Sequence, residues 1–111
     1  MPDERAARLA ENESRFRAIN DRVERELERV VYEPDELLPF VCECARRTCS
    51  ATIELTRDEY ERVRADSVLF AIAPGHEILD VEDVVERGER YFMIRKHPET
   101  WPIVEELDPR R

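Results

Sequence analysis

The sequence predicts an α+β domain, with a long N-terminal helix followed by a small antiparallel sheet and one short inserted helix. Three observations carry that prediction. Residues 4–31 contain no proline or glycine and repeat an apolar residue every seven positions. After Pro39 the apolar residues fall instead into short runs of strand length. Between two of those runs stands Thr56-Arg57-Asp58-Glu59, a capping box that opens a helix.

In the first segment Leu9, Phe16, Val23 and Val30 keep the seven-residue interval, and Ile19 and Leu27 fill the half-steps. The intervening residues are almost all Glu, Arg, Asp and Asn. A stripe this narrow suits a helix that crosses a small sheet or pairs with a second helix, with Asn12 or Asn20 setting the register of such a pair. Tyr32 to Leu38 reads as a connector, because Pro34 disfavours helix at Glu33. Phe40 to Cys42 and Ala51 to Leu55 read as two antiparallel strands, which leaves Arg46 to Ser50 as the loop between them. The capped helix runs to about Ala65, with Tyr60 and Val63 facing inward. Val68 to Ala73 is apolar on both faces and reads as a central strand. Val81 to Glu86 and Arg90 to Lys96 flank Arg87-Gly88-Glu89, read as a hairpin loop with Gly88 supplying positive φ. Trp101 and Ile103 are expected to pack on the body, and the chain to fray from Glu105.

The chemistry is concentrated in VCECARRTCS, residues 41–50, which holds all three cysteines. Alternation along a strand puts Cys42 and Cys44 on one face and Glu43 on the other. Cys49 follows after a loop long enough to fold back beneath them, and Arg46 and Arg47 are expected to favour the thiolates. A tetrahedral zinc site needs a fourth ligand. His76 ends Ala73-Pro74-Gly75-His76, where Pro-Gly is the signature of a type II turn that would hold the imidazole rigidly. Cys42, Cys44, Cys49 and His76 are therefore the candidate ligands of a Cys3His zinc knuckle, with Glu43, Glu77, His97 or water as other fillers of the fourth position. The competing readings are a redox-active thiol set and small apolar packing residues.

The stretches ENESRFRAINDRVE, FVCECARRTC, IELTRDEYERVRAD and FAIAPGHE together resemble a family of small uncharacterised actinobacterial proteins with C-x-C-x4-C and PGHE motifs, over roughly residues 10–96. That resemblance implies a bacterial cytoplasmic protein and brings no catalytic residue with it. The opening C-x-C is also similar to the CDGSH iron–sulfur family. The third cysteine comes too early for that family, and no Asp-Gly-Ser-x-His follows Cys49.

Composition narrows the function classes. A charged fraction of 41% and a net charge of −9 disfavour binding to nucleic acid and to anionic membranes. Residues 1–32 are nearly balanced, with eight acidic and seven basic side chains, so the excess lies in the body. MPDERAARLA has no apolar core of a signal peptide, which predicts a cytoplasmic address. Three segments result: an amphipathic helix over 1–32, a metal-binding α+β body over 33–104 and a flexible tail over 105–111. No phosphate loop, G-x-S-x-G or H-E-x-x-H is present. The expected function is a zinc-stabilised module for protein–protein interaction or regulation, its partner or a second copy docking on helix 4–31. A thiol-based redox or metal sensor is the alternative, and a zinc hydrolase or an iron–sulfur protein fits less well.

Overall fold

A computed structural model describes residues 2–30 and 33–110. Helix α1 spans Glu4–Leu27, capped by the Asp3 carboxylate, which accepts from the Ala6 N–H at 2.7 Å. The helix was expected to run to residue 31. It ends at Leu27 because the ladder passes into i→i−3 bonds, Arg29 N–H to Glu26 O and Val30 N–H to Leu27 O. Val31, the last residue of the expected helix, and Tyr32, the first of the expected connector, lie outside the described residues.

Strands β1 (Leu38–Val41) and β2 (Thr52–Leu55) pair antiparallel with Leu38 opposite Leu55 and Phe40 opposite Ile53. Helix α2 (Arg57–Arg64) follows, and its capping box is complete: the Thr56 hydroxyl accepts from Glu59 N–H while Glu59 accepts from Thr56 N–H. Strands β3 (Leu69–Ile72), β4 (Glu82–Arg87) and β5 (Phe92–Lys96) form a second antiparallel sheet in the order β3-β5-β4. The short helix α3 (Trp101–Glu106) closes the chain after a 3-10 turn at Pro98–Thr100.

The expected single antiparallel sheet is thus two sheets, of two and three strands. β5, not β3, is the central strand of the larger one. β3 is nonetheless buried along its whole length, because its residues alternate between two cores. Leu69 and Ala71 join Leu38, Phe40, Leu55, Tyr60 and Met93 in the first core. Phe70 and Ile72 join Ala10, Cys42, Cys44, Ile94 and Val104 in the second. Its outer edge is covered as well, by Glu43, whose N–H donates to Ala71 O.

The hairpin also differs in detail. Gly88 does not adopt positive φ. Its N–H donates to Tyr91 O at 3.0 Å, and a Cβ there would lie 3.0 Å from that same oxygen, so the close approach is what favours glycine. A bulge between Val84 and Glu86 shifts the β4–β5 register.

The largest departure is the rotation of α1. Most of the apolar stripe does not face the body: Ile19 and Val30 are 41% and 55% exposed, while half-buried Leu27 packs against the first core. The buried face is Ala6, Ala10 and Ser14 together with five larger polar side chains, Glu13, Arg17, Asn20, Asp21 and Glu24. Each of the five finds a partner in the body. Lys96 Nζ lies 2.6 Å from Glu13 and 3.2 Å from Glu82, all three side chains fully buried. Arg17 donates to the Ser67 and Val104 carbonyls and lies 4.5 Å above the Phe70 ring. Arg64, also fully buried, donates to both Asp21 and Asp108. These charges bury at acceptable cost only when matched, and the matching partners sit on this side of the helix. The expected fraying from Glu105 gives way to α3 for the same reason. Buried Arg64 holds Asp108 in place, and Arg110 bonds Glu24 and Glu61.

Candidate metal centre

After Val41 the chain leaves β1 with one more ladder bond, Cys42 N–H to Ala51 O at 3.0 Å. Extended alternation then places the Cys42 and Cys44 thiols on one side. The Arg46–Cys49 turn, closed by Cys49 N–H to Arg46 O, returns the third thiol to them. His76 arrives from the end of β3. Gly75 has φ +88° and His76 N–H donates to Ala73 O at 3.0 Å, as a type II turn requires. The Arg46 guanidinium donates to His76 O at 2.9 Å and ties that turn to the cysteine loop.

Cys42, Cys44, Cys49 and His76 therefore converge, with their ligand atoms all within 4.8 Å of one another. His76 Nδ1 lies 3.6 Å from the sulfurs of both Cys42 and Cys49. Three thiols and an imidazole in this arrangement could hold one metal ion. The alternative fourth ligands lie elsewhere: His97 is paired with Asp83 at 3.2 Å, Glu43 faces away, and Glu77 is not part of the group.

The thiols divide their protons unequally. The neighbouring Cys42 thiol, aided by the Arg46 backbone N–H, holds the Cys44 thiol down to about 4 against the opposing effect of burial. Cys42 is pushed up, first by the adjacent Cys44 thiol and then by burial. The guanidinium charges of Arg46 and Arg47, expected to favour the thiolates, are not among the causes: Cys44 is lowered by its neighbours and Cys42 is raised. Cys42 Sγ also accepts from Ala73 N–H at 3.1 Å, a bond that stabilises a sulfur ligand in its charged form.

Glu43, between the two ligands, is the centre of the support. Its backbone N–H donates to Ala71 O at 2.9 Å and its Oε1 accepts from Ala71 N–H at 3.0 Å, covering the free edge of β3. Its Oε2 accepts from Tyr60 Oη at 2.7 Å and Asn20 Nδ2 at 2.8 Å. Asn20 also brackets Val41, accepting from its N–H and donating to its carbonyl, both at 2.8 Å. Asn12 donates to Ala45 O at 3.0 Å. Both asparagines, expected at a helix–helix seam, are spent on the cysteine segment instead. Sequence reasoning missed these roles. Its one available signal was the polar stripe of residues 13, 17, 20, 21 and 24, which keeps helical spacing as faithfully as the apolar one.

No protein-family model, curated protein or solved structure matches the chain. No helix among the described residues is long and apolar enough to cross a membrane.

Proposed function

We propose that this is a small bacterial cytoplasmic zinc protein whose Cys3His site is structural and whose body serves protein–protein interaction or regulation. One observation carries the reading: four ligand atoms from two distant segments close to within 4.8 Å around one point. Zinc–sulfur and zinc–nitrogen bonds of about 2.3 and 2.05 Å at tetrahedral angles put S and N about 3.6 Å apart. His76 Nδ1 stands 3.6 Å from two sulfurs. The set has room for a single ion and none for a two-iron cluster. It also leaves no open coordination position for a hydrolytic water, and Glu43, the nearest carboxylate in sequence, is engaged on the far side. The ion would fasten the end of β1 to the turn after β3, joining the two sheets. Structural zinc contributes on the order of 10 kcal/mol, comparable with the whole net stability of such a domain.

Native mass spectrometry with an absorption spectrum, on the wild type and on His76→Ala, tests this. One bound zinc in a colourless protein, weakened in the variant, is expected. Visible charge-transfer bands would point to iron, and a metal-free protein with three inert thiols would end the proposal.

A second reading, a thiol-based redox or metal sensor, is favoured by the bonds from Asn12 and Asn20 to the cysteine segment. They make α1 the element that responds if the segment moves. Mild oxidation should then release the ion and form a disulfide among Cys42, Cys44 and Cys49 without unfolding the protein. A structural zinc protein unfolds when its ion is removed.

A further inference from the structure

We infer that Lys96 and Glu13 condense to an intramolecular amide, with Glu82 as the acid–base group, so that a covalent bond ties α1 to β5. The ion triad described above is the reactant arrangement. Lys96 is the single lysine of a chain with seventeen arginines. An arginine serves an ion pair as well, whereas only the amine of a lysine can lose its proton and attack a carboxyl carbon. The Lys96, Glu13 and Glu82 side chains are all fully buried. Ala10, three positions before Glu13, and Ile94, two before Lys96, both belong to the second core. The geometry around Lys96 Nζ then separates the two carboxyl groups. Nζ donates to Glu82 Oε1 at 3.2 Å in an ordinary hydrogen bond, and Glu82 is held by the Ile78 N–H at its Oε2, 3.0 Å away. Nζ lies closer to Glu13 Oε1, at 2.6 Å, yet among the described residues neither Glu13 oxygen has a hydrogen-bond partner. The amine is thus set against the Glu13 carboxyl without the bond an ammonium–carboxylate pair makes. With a C–O bond of about 1.23 Å, Nζ stands no more than about 3.8 Å from Glu13 Cδ, beside the range of about 3–3.5 Å from which bonds form.

The step balances without any further reactant. Two carboxyl groups face one amine, and burial followed by the Glu82 charge raises the Glu13 carboxyl well above its usual range, so Glu13 is the protonated one. Glu82 takes a proton from the Lys96 ammonium. The freed electron pair attacks Glu13 Cδ, the C–N bond forms and the C–OH bond breaks. Glu82 hands its proton to the departing hydroxyl and receives the second nitrogen proton in return. The products are a secondary amide, one water and a neutral Glu82. A buried ion pair is thereby replaced by neutral groups, which removes its desolvation cost, and the same burial keeps bulk water from hydrolysing the amide.

The test weighs the full chain, folded with its metal and then denatured. Its mass should be one water below that of the sequence, with or without Met1. A protease specific for lysine has one site in this chain, after Lys96, and an acylated lysine resists it. The wild type should therefore stay uncut, and tandem mass spectrometry should find a branched peptide joining positions 13 and 96. Lys96→Arg keeps a cation in the triad but cannot form the amide, and should show the full mass. Glu82→Gln keeps both reacting groups and should also show the full mass and be cut after Lys96, with circular dichroism confirming the fold of both variants. A folded wild type of full mass that is cut completely after Lys96 is an ion triad only and overturns the inference. A water loss that persists in Lys96→Arg does so as well, and undiminished condensation in Glu82→Gln overturns the role of Glu82. The result is independent of the metal reading, because none of the three groups is a candidate ligand.

Discussion

Glu43→Gln isolates the support of the metal centre without changing its ligands. In the wild type, three donors meet two carboxylate oxygens: Ala71 N–H at Oε1, and Asn20 Nδ2 and Tyr60 Oη at Oε2. The glutamine amide must replace one oxygen with NH2. Placed at Oε1 it opposes the Ala71 N–H; placed at Oε2 it opposes Asn20, although the Tyr60 hydroxyl can rotate to accept. Either orientation orphans at least one buried donor and removes the charge from the remaining bonds. A hydrogen bond to a charged group is worth about 1.5–3 kcal/mol, and an orphaned buried donor costs about 1–3 kcal/mol. Against this, the variant escapes the desolvation that raises the Glu43 pKa, its largest perturbation. The net expectation is a loss of about 2–3 kcal/mol, or roughly 10 °C in Tm for a domain of this size. Because Glu43 lies between two ligands, zinc affinity should also fall about 10–100-fold, as for other residues that orient metal ligands. Chelator competition and urea denaturation measure the two effects. A variant within about 0.5 kcal/mol of wild type, with unchanged zinc affinity, would refute the idea that this carboxylate holds the centre together.

Other consequences are independent of that carboxylate. Gly75→Ala meets no atom within 4 Å, so its cost comes from φ +88° alone, about 1–3 kcal/mol, and it should weaken zinc by opening the turn that presents His76; calorimetric zinc titration reads this, and undiminished affinity would show that the turn does not position the ligand. Lys96→Met strands Glu13 and Glu82 without their cation and should cost about 3–5 kcal/mol in urea melts, largely recovered in the Lys96→Met/Glu13→Gln/Glu82→Gln variant. A triple variant no more stable than the single one would contradict the ion-triad account. Burial, reinforced by Glu61, raises the Glu24 carboxyl to about 7. The folded state then holds this proton more tightly than the unfolded state does, so stability falls as pH rises from about 4.5 through 7, by at most about 1.4 kcal/mol per pH unit. Glu24→Gln should flatten that part of the stability–pH curve, and an unchanged slope would assign the dependence to another group.

Several elements follow from local chemistry alone. Absence of Pro and Gly made α1 a long helix, Thr56 and Glu59 opened α2, and Pro74-Gly75 made the turn that carries His76. Each depends on residues within a few positions of one another, so each could be read in one dimension. The grouping of the three cysteines with His76 was legible too, because few side chains in this chain can serve as soft or imidazole ligands.

Which face of α1 lies inside depends instead on residues far away in the chain. The apolar stripe was the conspicuous pattern, and its burial is worth about 25 cal/mol per Å². Yet the body presents fully buried Lys96 and Arg64 and the Glu43 carboxylate, and a buried charge without a partner costs several kcal/mol. Glu13, Asp21 and Asn20 supply those partners from one side of the helix, which turns most of the stripe outward. The clue in one dimension was slight: Lys96, the single lysine among seventeen arginines, is the cation at the centre of the buried triad. The division into two sheets was likewise beyond sequence pattern, since β3 is apolar on both faces and a strand between two cores reads the same as a strand inside one sheet. Local propensity fixes what a segment becomes; the pairing of buried charges, set by residues distant in the chain, fixes how the segments face one another.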